Sequence, residues 1–229
     1  MSFFLKAGSP SDHKRLWLRN LVIQDCIRIY AYAEVVAENC RFENASLDVL
    51  DGSLYAKDCV FTGGRLKTCS DHGGALTLHS SSALLDHCSL VNNSAFLNAS
   101  TNDEPNCIGG RCDGGSGGAI SMSNSSMIIL HPVMDGNVAC SGGAICLINS
   151  DLVVRGGRMT NNHALPINYT NPVGFFGGEG GAISAVKLPK VMLIDTIVYG
   201  NRAREFPDIH AEDSSEVQII NAKINSQEI

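Results

Sequence analysis

A chain of 229 residues with 44% hydrophobic and only 17% charged residues holds one or at most two folded domains with enough apolar material for a core, which excludes a disordered chain. Its net charge of −6 and pI of about 5.6 leave no clustered Lys and Arg to grip a phosphate backbone or an anionic bilayer, so neither nucleic acid nor membrane insertion is expected. No apolar run approaches the roughly 18 residues of a spanning helix, and residues 1–15 hold too short an apolar stretch for a secretory signal.

In chain order, residues 1–20 read as a candidate N-terminal cap, carried by 9–17. Short apolar blocks follow at 21–28, 35–42, 54–61, 84–91, 128–134, 153–159, 192–199 and 217–224. Each reads as a strand, a corner and a second strand, because the runs are too brief for helices and rich in Val, Ile and Leu. From the fourth block a motif joins them. Gly73-Gly74-Ala75-Leu76, Gly117-Gly118-Ala119-Ile120, Gly142-Gly143-Ala144-Ile145 and Gly180-Gly181-Ala182-Ile183 are four copies of one tetrapeptide. Asn93, Asn137 and Asn162 lie 20 residues after the first glycine of their copy and Asn201 lies 21 after, each followed two residues on by Ala95, Ala139, Ala164 or Ala203.

The shortest complete unit, Gly117 to Gly142, spans 25 residues and cannot bury its own apolar face, so units must stack. The expected architecture is a single all-β domain, a parallel solenoid of about eight turns and roughly 40 Å. Asn93, Asn137, Asn162 and Asn201 are then expected in one corner column, where Asn tolerates left-handed backbone and its amide bonds along the stack. The paired glycines allow a sharp turn and the alanine faces inward.

These residues resemble the Gly-Gly-Ala-Ile and Phe-x-x-Asn motifs of the chlamydial polymorphic outer-membrane protein repeat. The likeness covers about 73–203 and implies a right-handed parallel β-helix of the pectin-lyase-like group. Leu90, Met134, Met159 and Val198 fill the Phe position, and nothing after Ala203 reads as the membrane barrel that ends the bacterial proteins.

Two insertions, 96–116 and 165–179, both fall between the Asn-x-Ala and the next Gly-Gly-Ala, so both should project from one edge of the rod. Phe175 and Phe176, flanked by glycines, are candidate partner contacts. Of nine cysteines, Cys107 and Cys112 are the strongest disulfide candidates, with Cys140 and Cys146 weaker; Cys26, Cys40, Cys59 and Cys88 occupy like places in four blocks and are expected to stack inward as small hydrophobes. Asn44, Asn92, Asn98, Asn124 and Asn168 begin glycosylation sequons. Together they point to an extracellular or cell-surface setting.

An enzyme of the polysaccharide-cleaving kind needs convergent carboxylates. Asp58, Asp86, Asp135 and Asp195 are scattered, with Asp195 expected two turns beyond Asp135, and His72, His79, His87, His131, His163 and His210 show no common register. Aromatics for a sugar groove are confined to Trp17, Tyr30, Tyr32 and Tyr55 near one end. No cofactor or metal site is expected. The expectation is a non-catalytic structural or adhesive module whose last block, 217–224, is uncapped and stacks on a protein partner, another copy or more of its own chain; the alternatives are a carbohydrate-active enzyme and an intracellular scaffold subunit.

Overall fold

The computed structural model describes residues 3–7, 9, 11–12, 14–24, 27–65, 73–95, 115–168, 175–212 and 215–224, and none of these is helical. The chain is an all-β parallel β-helix. Three eight-stranded parallel sheets run its length, and each coil contributes one strand to each. Face A begins with Phe3–Ala7 and ends with Ile209–Ala211, face B runs from Lys14–Arg19 to Glu216–Ile220, and face C from Val22–Gln24 to Lys223–Ile224. Short, β-branched-rich runs with a corner after every three to six residues suit this arrangement, because each strand pairs only with its equivalents in the coils above and below.

Alternate residues point inward and form columns. Face C carries Ile23, Phe42, Phe61, Leu90, Met134, Met159, Val198 and Ile224 in one column, with the Phe42 and Phe61 rings stacked at 4.5 Å. The corner between faces B and C is left-handed in all eight coils, at Asn20, Asn39, Asp58, His87, His131, Gly156, Asp195 and Asn221, with φ between 50° and 68°. Six of these eight are Asn, Asp or Gly outside the Gly-Gly-Ala motif, the types that bear this conformation at least cost.

Several expectations need correction. The smallest coil is 19 residues, not 25: Arg41 pairs with Val60 and Val22 with Arg41. The second coil turns directly from Arg41–Glu43 on face C to Ser46–Leu50 on face A through Asn44 and Ala45, whereas from the fourth coil on the Asn-x-Ala segment and a Gly-Gly-Ala or its equivalent are interposed. The first coil is framed by Lys14–Arg19 and Val22–Gln24, so the block at 21–28 straddles two coils. Residues expected to form a cap are instead part of that coil, closed at Ser9 and Asp12 by reciprocal backbone hydrogen bonds of 3.0 Å and paired in parallel with Ala33–Glu38. Asp195 does lie two coils beyond Asp135, as expected, but at the B-to-C corner whereas Asp135 is on face C, so they share no column.

Candidate functional site

The corner from face C to face A holds the features that mark this chain. Asn93, Asn137, Asn162 and Asn201 are all buried and form one ladder. Asn93 Nδ2 donates to Asn137 Oδ1 at 3.0 Å, Asn137 Nδ2 to Asn162 Oδ1 at 2.9 Å, and Asn162 Nδ2 to Asn201 Oδ1 at 2.9 Å. Each Nδ2 also donates to a carbonyl, from Phe61, Leu90, Met134 and Met159 in turn. Each Oδ1 accepts a backbone N–H as well, beginning with Gly64 on Asn93. Every amide nitrogen and oxygen thereby has a partner, and Asn137, Asn162 and Asn201 are saturated, as buried amides require.

One part of the expectation fails: the ladder asparagines are not left-handed. The residue before each of them is, at Asn92, Gly136, Asn161 and Gly200. That leaves each ladder side chain to turn inward and its predecessor to make the bend.

The ladder ends on Asp208, whose Oδ1 accepts from Asn201 Nδ2 at 2.9 Å. By register Asp208 stands where Ala182 stands one coil earlier, so Phe206-Pro207-Asp208-Ile209 is a fifth, degenerate Gly-Gly-Ala-Ile. Phe206 keeps the positive φ of Gly180, at 56°. This copy escaped sequence reading because only its final Ile is retained.

The two glycines of each motif do different work. Gly117, Gly142 and Gly180 adopt φ of 73°, 62° and 64°. Gly74, Gly118, Gly143 and Gly181 lie so close to the next coil that a Cβ would strike the carbonyl oxygens of Gly118, Gly143, Gly181 and Pro207. Gly73 sets its N–H on Thr77 Oγ1 at 3.2 Å. Ala75, Ala119, Ala144 and Ala182 are fully buried, as expected.

A second ladder, of serines, was not anticipated. At the corner from face A to face B, Gly52 N, Ser81 N and Ser125 N donate to Ser81 Oγ, Ser125 Oγ and Ser150 Oγ at 3.0–3.1 Å, and each hydroxyl donates to the carbonyl two residues before it. The signal was present in Ser81, Ser125 and Ser150 each preceding a face B strand.

Beneath the C-to-A segments, outward residues of face A form a column in which Asp48, Thr77, Ser121, Cys146 and Ser184 are buried and the last, His210, is half-buried. At its end Ser184 Oγ lies 3.5 Å from His210 Nδ1, Glu179 Oε2 lies 3.4 Å from the same nitrogen, and the Phe206 ring stacks on the imidazole. Nucleophilic catalysis by such a trio needs the serine and the carboxylate on opposite ring nitrogens. With both on Nδ1, the imidazole cannot relay a proton between them.

The remaining acidic candidates do not converge. Asp135 accepts from Thr160 Oγ1 at 2.5 Å and Asn161 Nδ2 at 2.8 Å, and Asp86 pairs with His87 at 2.7 Å. His87 and His131 do share a register position, contrary to expectation, and their rings stack at 4.7 Å. The 44 residues separating them include the first insertion, which hid the match. Among the described residues no group of His, Cys, Asp and Glu is arranged to hold a metal ion.

Both expected insertions leave beyond the column of Ala95, Ala139 and Ala164, whose strands bridge from Ser94 to Val138 to His163. Residues 96–114, with Asn98, Cys107 and Cys112, lie outside the described residues. The second insertion is a hairpin in which Ile167–Asn168 pairs antiparallel with Phe175–Phe176. Its stem is tied to the coil before it by Leu165 N to Ala139 O at 2.8 Å and Gly178 N to Cys140 O at 2.6 Å. The side chains of Asn168, Phe175 and Phe176 lie outside what is described.

Cys40, Cys59 and Cys88 stack on adjacent coils at one inward corner position, buried and free. Cys26 lies outside the described residues, and the register places Leu21 above Cys40 instead. The hydrogen bond between Cys88 and Cys59 raises the Cys88 pKa and lowers that of Cys59, while burial raises Cys40. Cys140 and Cys146 are also buried and form no disulfide with each other, and burial pushes Cys146 up to about 11. A thiol must ionise and be reached to react. These five thiols are therefore expected to resist alkylation in the folded protein and to react within minutes in denaturant, as read by peptide mass mapping; labelling of Cys59 or Cys88 in native buffer would contradict the packing.

Of the sequon asparagines, Asn44, Asn92 and Asn124 are exposed left-handed corner residues. Comparison with protein families, with curated proteins and with solved structures finds no match to this chain.

Proposed function

We propose that the chain is a non-catalytic structural module, a stiff spacer that presents loops and docks with partner proteins. The observation that carries this reading is the common origin of the two insertions, which leave one column of buried alanines on a rod whose adjacent corner is held by the amide ladder. Loops on a rigid scaffold are where recognition residues reside. The off-triad geometry of Ser184, His210 and Glu179 supports a structural role for that cluster.

The likeness of the repeat to the chlamydial surface proteins supports an adhesive, extracellular or cell-surface setting, as do Asn44, Asn92 and Asn124 at exposed corners where a glycan has room. Partners would meet the loops or the last described coil, where Ile219 takes the inward position of Leu193 yet is 50% exposed. A second reading, an intracellular scaffold subunit, is favoured by the absence of any disulfide at Cys40, Cys59, Cys88, Cys140 and Cys146.

Incubation of the protein with a panel of polysaccharides is expected to release no oligosaccharide product. Release that disappears in His210→Ala would overturn the reading in favour of a carbohydrate-active enzyme. Expression in a secretory host distinguishes the two settings: glycan on Asn92 or Asn124 with folding retained supports the surface module, and loss of folding there supports the intracellular one.

A further inference from the structure

Face B turns three columns outward, held by Arg15, Trp17 and Arg19 in the first coil, by Glu34, Val36 and Glu38 in the second, and by the first, third and fifth residue of each five-residue strand from Ser53–Lys57 onward, and its strands pair residue for residue from the first coil to the last. The third-residue column is apolar in seven consecutive coils, from Trp17 through Val36, Tyr55, Leu84, Ile128 and Val153 to Met192, although Val36, at 6% exposure, is already covered by its neighbours. Trp17 and Ile128 are 48% and 46% exposed. Face C has no such stripe, because its outward column is broken by Arg41 and Arg158. Outward face A is covered by the C-to-A segments.

We propose that this stripe is the interface between two copies of the chain, docked face to face and antiparallel, with the two-fold axis along the strand direction between the fourth and fifth coils. That operator sets each column against itself with the coil order reversed. Leu84 then meets Ile128 of the second copy, Tyr55 meets Val153 and Val36 meets Met192, so apolar residues face apolar ones in the six middle coils, while Trp17 meets Gln218 at each end. In the first-residue column Arg15 meets Glu216 and Glu34 meets Lys190.

These four charges already pair along each rod, Arg15 with Glu34 at 2.5 Å and Lys190 with Glu216 at 3.8 Å. Docking would join them into an alternating quartet. The cost falls in the fifth-residue column, where Lys57 meets Arg155; by register Lys57 lies between Glu38 and Asp86, which temper the repulsion. The parallel alternative, with the axis along the rod, would set Arg15 against Arg19 and Glu34 against Glu38, like against like. An eight-strand face of five residues covers about 600 Å² per copy from strand dimensions, near the lower edge of specific interfaces, so the dimer is reversible.

This deepens the spacer reading and rests on it in treating the rod as rigid. Sedimentation equilibrium of the full chain from about 1 µM to 1 mM is expected to show a monomer–dimer equilibrium. Ile128→Glu, outward at the centre of the stripe, should weaken it by about tenfold or more with an unchanged unfolding midpoint. Glu34→Lys and Lys190→Glu should each weaken it severalfold, and the double variant E34K/K190E should recover most of the loss. A monomer throughout, a dimer indifferent to Ile128→Glu, or a double variant no better than either single one overturns the proposal. A folded monomer inert on polysaccharides would sink the dimer and leave the spacer reading standing, whereas product release would sink the spacer reading alone.

Discussion

Asn137→Ala is expected to lower the unfolding free energy by about 3 kcal/mol, from buried groups left unpaired at about 1–3 kcal/mol each. The alanine removes the acceptor of Asn93 Nδ2 and of Asn93 N, and the donor to Leu90 O and Asn162 Oδ1. Asn93 N is orphaned outright, while Asn93 Nδ2 keeps Phe61 O and Asn162 Oδ1 keeps Asn137 N. The expected value therefore sits near the low end of a simple sum. Asn137→Asp should cost more at neutral pH, because it places a buried carboxylate against Leu90 O and Asn162 Oδ1. Burial raises the folded pKa of that carboxyl above its unfolded value. Relative stability of this variant is then greatest below about pH 4 and falls as pH rises toward the folded pKa. Urea titrations of both variants at pH 4 and pH 7 measure this; a loss below 1 kcal/mol for the alanine would mean that the ladder is not saturated as described.

Gly143→Ala is expected to be at least as damaging, at about 3 kcal/mol or more, beyond the usual cost of overpacking. A Cβ there would collide with Gly181 O and lie 2.6 Å from His163 N and 2.7 Å from His163 C, all backbone atoms of stacked segments. Relief requires two coils to separate, which would strain the Asn162 rung beside them. Gly136 supplies the contrast. Its φ is 65°, but the equivalent positions in neighbouring coils are Asn92 and Asn161, at 56° and 53°. Gly136→Asn should therefore stay within about 1 kcal/mol of wild type, since Asn tolerates this conformation. Denaturant midpoints of the two variants separate close approach from turn conformation, and equal losses would contradict the division of labour between the glycines.

The repeat was legible because its residues are the ones the geometry leaves least choice over. Only glycine fits where Gly118 meets Gly143, and an amide has both the donors and the acceptor that a buried rung at Asn137 uses. The serine ladder was not read because serine is common at turns and Ser81, Ser125 and Ser150 sit among other small polar residues. Among the described residues the cysteine column begins at Cys40, because the register sets Leu21, a residue of another type, on the coil before it. The 19-residue coils were misjudged because strands alone set the minimum length and the Gly-Gly-Ala segment is an addition to it. Candidate function was less legible: His87 and His131 are brought together across an insertion, and His210 meets Glu179 and Ser184 only through stacking.

The most direct test of the account is a methyl and amide NOE spectrum of the deuterated chain. The stacked register predicts contacts linking Leu90, Met134, Met159 and Val198 in sequence, residues 25 to 44 apart in the chain, together with amide contacts between Leu84, Ile128 and Val153. Contacts confined to neighbours within each segment, with none between these columns, would contradict it.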